Sequence, residues 1–192
     1  MLKTKSGFGL IELIIAMAIF FILLSIAAPN FSGWILNAKI RTKAESVLSG
    51  LQLARAEAVR RNSVVRFQLT TTSDDTCALD TAGPNWIVSL DVATGKCGTV
   101  ASETTDPRII QLGSSAEGSG GSTTLLSGQS SFVFDGMGRL TSTASAIDIK
   151  TSLAVLCIDA GGTARCLRVD VTSGGQIRMC DPALPNTTTQ GC

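Results

Sequence analysis

From Phe8 to Ala28 the chain runs for 21 residues with a single charged side chain, Glu12. As a helix rising about 1.5 Å per residue this run is roughly 31 Å long, the thickness of a bilayer's hydrocarbon core. Lys3 and Lys5 precede it with no acid between them. By the positive-inside tendency the short tip then stays in the cytoplasm and the bulk of the chain is exported. An ordinary secretory signal peptide, cut after the small-x-small stretch Ser25-Ile26-Ala27, is the alternative. Two features weigh against it. The run exceeds the roughly 7–15 residues of a signal core, and a carboxylate sits inside it. Burying Glu12 costs on the order of 2.5–3.5 kcal/mol on insertion scales, so a side chain there needs a partner.

The helical pattern continues beyond the run. Ile40, Ala44, Val47, Leu48, Leu51, Ala54 and Ala58 recur at spacings of three and four, and the charged residues of the same stretch fall elsewhere. Pro29 interrupts the pattern and is expected to kink the helix where it leaves the lipid. The helix is expected to reach about Arg61 and to lay its apolar stripe on a sheet. Short segments bounded by Gly, Pro, Asp or Asn are the strand candidates: Val64–Thr72, Trp86–Asp91, Arg108–Leu112, Ser131–Asp135, Ser152–Ile158 and Cys166–Val171. Gly113–Ser122, built almost wholly of Gly, Ser and Ala, is expected to be a flexible loop.

Composition closes off several chemistries. The 192 residues contain no His and no Tyr, which excludes Ser-His-Asp and Cys-His nucleophile pairs, His-bound zinc and His acid/base catalysis. Gly95-Lys96 lacks the glycine spacing of a phosphate-binding loop, and no Gly-x-Ser-x-Gly elbow occurs. No enzyme activity and no cofactor are expected. Charge is uneven: Lys39 to Arg66 carries seven bases and two acids, whereas Phe67 to Cys192 carries seven bases and 12 acids. A net −5 head lacks the dominant basic face of a nucleic-acid binder.

Lys5-Ser6-Gly7 followed by Phe8-Gly9-Leu10-Ile11-Glu12-Leu13 resembles the prepilin peptidase site of type IV pilins and type II secretion pseudopilins. The later segments Ala54-Arg55-Ala56-Glu57-Ala58-Val59-Arg60 and Phe134-Asp135-Gly136-Met137-Gly138-Arg139 resemble the GspH/FimT family of minor pilins and pseudopilins. The resemblance implies an α+β, pilin-like fold: a long N-terminal helix, transmembrane in its first half, packed on an antiparallel β-sheet head. It implies a leader at residues 1–7, a membrane helix at 8–28, an amphipathic second half at 29–62 and a head at 63–192. It also implies cleavage after Gly7 and methylation of the new amino group of Phe8. That cationic terminus supplies a partner for Glu12, since four residues of helix separate the two by about 6 Å along the axis. An intersubunit Phe8–Glu12 pair would set the register of each incoming subunit.

The implied work is structural. The subunit joins other minor pilins and the major pilin, or pseudopilins, after prepilin peptidase and the inner membrane have received it; its head lies in the periplasm and later in the fibre. A type II secretion pseudopilin and a DNA-capturing competence pilin are the alternatives. For the second, the resemblance points to a Gly-Arg-x-Arg stretch near the C-terminus. Here the stretch is Gly175-Gln176-Ile177-Arg178, so only Arg178 is left for such a contact, and DNA is not the favoured partner. Arg139, Arg165, Arg168 and Arg178 face Asp148, Asp159, Asp170 and Asp181 as candidate ion-pair partners.

Six cysteines at separations of 20, nine and 12 residues, with no C-x-x-C, are expected to form disulfides in an oxidising compartment rather than to bind metal. A two-residue turn at Gly161-Gly162 would put Cys157 opposite Cys166 at a non-hydrogen-bonded antiparallel site, with Cα atoms about 4.5 Å apart. Proximity in sequence pairs Cys77 with Cys97 and Cys180 with Cys192. The last pair closes a C-terminal loop holding Pro182, Pro185 and the polar residues Asn186 to Thr189.

Overall fold

The computed structural model describes residues 9–114, 123–151, 157 and 164–192, without the side chains of 24–32. One helix, α1 (Leu10–Arg61), is followed by eight strands: β1 (Val65–Thr70), β2 (Asn85–Ser89), β3 (Ile109–Ser114), β4 (Thr123–Ser127), β5 (Ser131–Phe134), β6 (Ser145–Thr151), β7 (Leu167–Val171) and β8 (Ile177–Cys180). The chain divides into two units, residues 1–35 and 36–192, so the helix from Leu36 onward belongs with the strands.

In the first unit, α1 begins with the amides of Glu12 and Leu13 bonded to the carbonyl of Gly9. Its described side chains from Leu10 to Leu23 are apolar all round apart from Glu12, and all are exposed. Among the described residues no helix is long and apolar enough to cross a membrane. The expected span 8–28 starts at a residue outside the described set and runs on into the undescribed side chains of 24–32, Pro29 among them.

In the second unit the stripe follows the heptad-like spacing read from the sequence. Ile40, Ala44, Val47, Leu51, Ala54 and Ala58 are all fully buried. Two four-stranded antiparallel sheets share the work of covering it, in orders β3-β2-β1-β5 and β4-β6-β7-β8. Phe67, Leu69, Trp86, Val88, Phe132 and Phe134 come from the first sheet, and Leu125, Ile147, Ile149, Val169 and Val171 from the second; all join the helix in one core. Small residues on the stripe permit the close approach. A Cβ at Gly50 would lie 2.8 Å from the Phe67 ring and 3.0 Å from Trp86, two rings that stack at 5.6 Å. The Trp86 indole N–H donates to Ser46 Oγ at 3.1 Å, satisfying the one polar atom of that side chain.

The helix stops in a Schellman motif. Asn62, at φ 47°, takes the left-handed position; its amide bonds to Val59 O and the Ser63 amide to Ala58 O. Asn tolerates that conformation because its short polar side chain offsets part of the Cβ penalty.

The outer face of β1–β3 is covered by a second apolar cluster of Cys77, Ile87, Ala93, Cys97 and Ile109. The Cys77–Cys97 disulfide, with Cα atoms 6.1 Å apart, staples the covering segment over it. Gln68 lies fully buried under the flap, with its amide donating to Ser89 Oγ and Asp91 O and accepting from the Ala93 amide. Every hydrogen-bonding group of that side chain is thus used except one lone pair.

Several strands differ from the expectation. β4, β6 and β8 are additional. β6 alternates Ile147 and Ile149, buried, with Asp148 and Lys150, half-buried, which is the period of a strand with one wet face. Gly113 and Ser114, expected in a loop, close β3, and the rest of that loop lies outside the described residues. So does most of the expected strand Ser152–Ile158, and with it the turn at Gly161-Gly162. Cys157 bridges Ala164 in the parallel sense, which does not match the antiparallel hairpin geometry expected for it. Cys157 is nonetheless bonded to Cys166, with Cα atoms 5.4 Å apart, and Cys180 to Cys192, at 5.2 Å.

Candidate functional site

Three places hold the residues singled out by the sequence. In the N-terminal segment, Gly7 and Phe8 lie outside the described residues, while Glu12 stands exposed in the first turn of α1. A carboxylate is favoured near a helix N-terminus by the backbone dipole. No cationic side chain pairs with it among the described residues. Around it stand Leu10, 79% exposed, Ile11, 68%, and Leu13, 57%.

The second place is the C-terminal end of the helix, where the two family-like segments meet a third. Phe134 ends β5 and Asp135 to Arg139 turn back over the helix. Asp135 builds the turn: one carboxylate oxygen accepts the amides of Met137 and Arg139, each at 2.9 Å, and the other accepts from Arg139 Nε at 3.3 Å. The Arg139 amide, above all, holds the Asp135 carboxyl below its usual range. Arg55 donates from Nε to the carbonyl of Gly138 at 3.1 Å, and a Cβ at Gly136 would strike Asn62 Oδ1 at 2.5 Å. Gly138, at φ 74°, rests on Val59 and Arg55. Against its carbonyl lies Gly175, at φ 77°, where a Cβ would come within 1.9 Å of Gly138 O. Helix end, β5–β6 turn and β7–β8 turn are therefore locked by three glycines. Sequence shows the glycines at 136, 138 and 175, but not that the last packs on the second. Asn62, Arg55 and Gly175 are the residues that reading along the chain left out of this junction.

The third place is the outer face of the second sheet, with the arginines considered for DNA. Register puts Asp148 beside Arg168 and Asp170 beside Arg178 on adjoining strands. Arg168 Nε meets Asp148 at 2.6 Å, Arg178 Nη2 meets Asp170 at 3.6 Å, and Lys150 reaches Asp148 at 3.8 Å. Arg165 meets Asp181 at 2.9 Å and Arg139 meets Asp135. Asp159 lies outside the described residues. Each of the four arginines has a carboxylate beside it, and Arg139 stands apart from the other three at the helix end. The face is a cross-strand ladder of alternating sign, not a basic patch.

Among the described residues the one group spaced to ligate a metal is Asp170 with Cys180 and Cys192. Its two sulfurs are bonded to each other, which leaves one carboxylate and no thiolate to ligate with. Lys43, one of the charged residues set apart from the apolar stripe in the sequence, is a buried cation. Only 5% exposed, it donates from Nζ to the carbonyl of Thr123 at 3.2 Å, and burial pushes its ammonium below the ordinary value.

A family model described as the type II transport protein GspH matches residues 43–175, and one described as the prokaryotic N-terminal methylation motif matches residues 2–28. No curated protein matches the sequence. Among solved structures, the type IV minor pilin FimU of Pseudomonas aeruginosa in space group P21 superposes with a TM-score of 0.53 at 16% identity, over 79% of this chain and 92% of that one. In space group P65 the values are 0.50 and 16%, over 77% and 94%. The minor pseudopilin EpsH from the Type 2 Secretion System of Vibrio cholerae gives 0.48 at 11%, over 76% and 99%. The likeness to FimU lies in the fold, a helix under antiparallel sheets.

Proposed function

The chain belongs to the family of the type II transport protein GspH, and from that membership we propose that it is a minor pilin, a structural and priming subunit of type IV pilus assembly. The observation that carries this reading is the apolar, exposed helix from Leu10 to Leu23 ahead of a disulfide-stapled head. Burying a side chain such as Leu or Ile from water is worth about 1.5–3 kcal/mol, so a bare stretch of this kind requires lipid first and other helices afterwards.

In this reading residues 8–28 span the inner membrane and the head stands in the periplasm. Prepilin peptidase removes residues 1–7 after Gly7 and methylates Phe8, in keeping with the methylation-motif match. The Phe8 ammonium and Glu12 then pair between neighbouring subunits and set register, while Pro29 bends the helix at the membrane surface. The partners are other minor pilins and the major pilin. The ladder of paired arginines supports a scaffold role over capture of DNA, since Arg178 already has Asp170 beside it.

One observation favours a second reading: the matching family model is described for type II transport, which would make the chain a pseudopilin. Affinity purification of the full chain from its native membrane separates the two. Recovery of pilus subunits supports the minor-pilin reading, and recovery of secretion components in their place refutes it.

A further inference from the structure

The head is tied to α1 at two ends. At the Asn62 end lies the glycine junction. At the other, Asn37 Oδ1 accepts the backbone N–H of Arg165 at 2.8 Å, and the Arg165 guanidinium donates from Nε and Nη2 to one oxygen of Asp181, at 3.0 and 2.9 Å. Lys43 is a further tie there, and its charge has a consequence for what the head can bind.

Lys43 lies on the buried side of α1 with Ile40, Ala44 and Val47, which are fully buried, and is itself only 5% exposed. Its Nζ donates to the carbonyl of Thr123 at 3.2 Å. Alternate residues of the edge strand β4 turn their main-chain groups away from β6: the Ser127 amide bonds to Thr81 O, and four residues earlier the Thr123 carbonyl meets the helix. An ammonium has three donors, and this hydrogen bond uses one of them. Among the described residues no carboxylate pairs with Lys43. Glu45, the acid nearest to it in sequence, is exposed and holds Arg41 at 2.7 Å.

A second unsatisfied group sits on the residue that Lys43 touches. Thr123 is 5% exposed, and its Oγ1 is buried without a hydrogen-bond partner among the described residues. A buried hydroxyl with no partner and a buried cation with no counter-charge each cost stability, and folded proteins normally satisfy both. Here the two groups lie within one residue of each other.

We propose that Lys43 and Thr123 hold a chloride ion between the ammonium and the Thr123 hydroxyl. One ligand then answers both needs: it accepts the remaining N–H donors and the O–H, and it supplies the negative charge. A water molecule would complete the hydrogen bonds and leave the charge unmatched. A one-atom anion suits the place better than phosphate or sulfate, because the flanking Ile40 and Val47 are fully buried and have no polar side-chain atom to offer the outer oxygens. Bound chloride joins the helix to the edge of the second sheet, so the stability of the head becomes a function of chloride concentration.

The test is urea unfolding of the full chain in an uncharged detergent, followed by near-UV circular dichroism, with chloride exchanged for gluconate at constant ionic strength. Once chloride exceeds its dissociation constant, each tenfold increase should multiply the ratio of folded to unfolded head by about ten. Lys43→Met should abolish this dependence. Thr123→Val, which keeps the branched shape and removes the hydroxyl, should raise the chloride concentration needed for it roughly two- to tenfold. An unfolding midpoint that ignores chloride overturns the proposal and leaves water as the partner of both groups. A dependence that persists undiminished in Thr123→Val overturns it as well, because the ion then binds elsewhere. If Lys43→Met does not fold, the comparison of Thr123→Val with the unaltered chain decides alone.

Discussion

Replacing Gly175 by Ala tests whether the junction at the helix end holds the head together. Two costs add. At φ 77° an Ala pays the left-handed penalty of about 1–2 kcal/mol. Its Cβ would also stand 1.9 Å from the carbonyl oxygen of Gly138, a backbone atom held by Arg55 and by the turn of Asp135, so the turn must shift. Overpacking of this kind costs roughly 1–3 kcal/mol more. Gly95 is the matched control: its φ is 72° and a Cβ there meets nothing within 4 Å. Gly95→Ala should therefore lose about 1–2 kcal/mol and Gly175→Ala about 2–5 kcal/mol. For a unit of this size each kcal/mol lowers Tm by about 2–4 °C, which predicts a drop near 5 °C for the control and near 10 °C for Gly175→Ala. Near-UV circular dichroism of the full chain in detergent, followed through thermal unfolding, measures both. Equal shifts in the two variants would refute the claim that contact with Gly138 adds anything to the cost of the backbone conformation.

The Glu12→Ala subunit should be processed normally yet fail to enter the fibre, read as cleaved protein that stays in the membrane fraction; normal incorporation would sink the register role. Lys43, with its pKa lowered by burial, binds protons less readily folded than unfolded, so head stability should rise as pH climbs towards 10.5, and Lys43→Met should remove that rise in urea titrations. Asp135 and Asp91 are held below their usual range, chiefly by the Arg139 amide and by Arg108 respectively. Their contribution is present above the ordinary carboxylate pKa and is lost as pH falls through the lowered folded values. Asp135→Asn should accordingly flatten the acid limb of a stability-versus-pH curve, and an unchanged limb would count against the turn. Converting Cys180 and Cys192 together to Ser opens a loop of 12 residues and should cost about 3 kcal/mol by the chain-entropy estimate, with no change in the core as seen by near-UV spectra.

What the sequence made legible was whatever repeats at a fixed period. The stripe Ile40–Ala58 could be read in place because a helix on a sheet must bury side chains at spacings of three and four. Five of the eight strands fell where β-branched and aromatic residues cluster between turn residues. β4, β6 and β8 were missed; of these Thr123–Ser127 and Ile177–Cys180 are short and half polar, and their strand character comes from the neighbours they pair with. Local reasoning failed for the same cause at Cys157. The bridge from Cys157 to Ala164 runs parallel where an antiparallel pairing was expected, although the disulfide to Cys166 formed as expected; the Gly161-Gly162 turn itself lies outside the described residues. The site was legible only as separate motifs. That Gly175 would pack on Gly138, that Asn37 would hold Arg165, or that Lys43 would be buried depends on contacts across 37, 128 and 80 positions, which no spacing rule reaches.

The distribution of these contacts bears on how a scaffold subunit can vary without losing its place in an assembly. The Asn62 end is rigid by construction: a Schellman stop, three glycines without room for a side chain, and an aspartate spent on backbone amides leave little that can change independently. The matched family segment runs from Lys43 to Gly175 and so takes in this junction. The Asn37 end is built differently. One ion pair and one side-chain-to-backbone bond moor a disulfide-closed loop whose exposed residues carry no structural duty beyond the turns at Pro185 and Thr188. A substitution at Asn186, Thr187 or Thr189 therefore changes the surface presented there at negligible cost to the fold, whereas a substitution at Gly138 or Gly175 must disturb both sheets and the helix. The surface at the loop can thus vary while the geometry of the junction stays fixed.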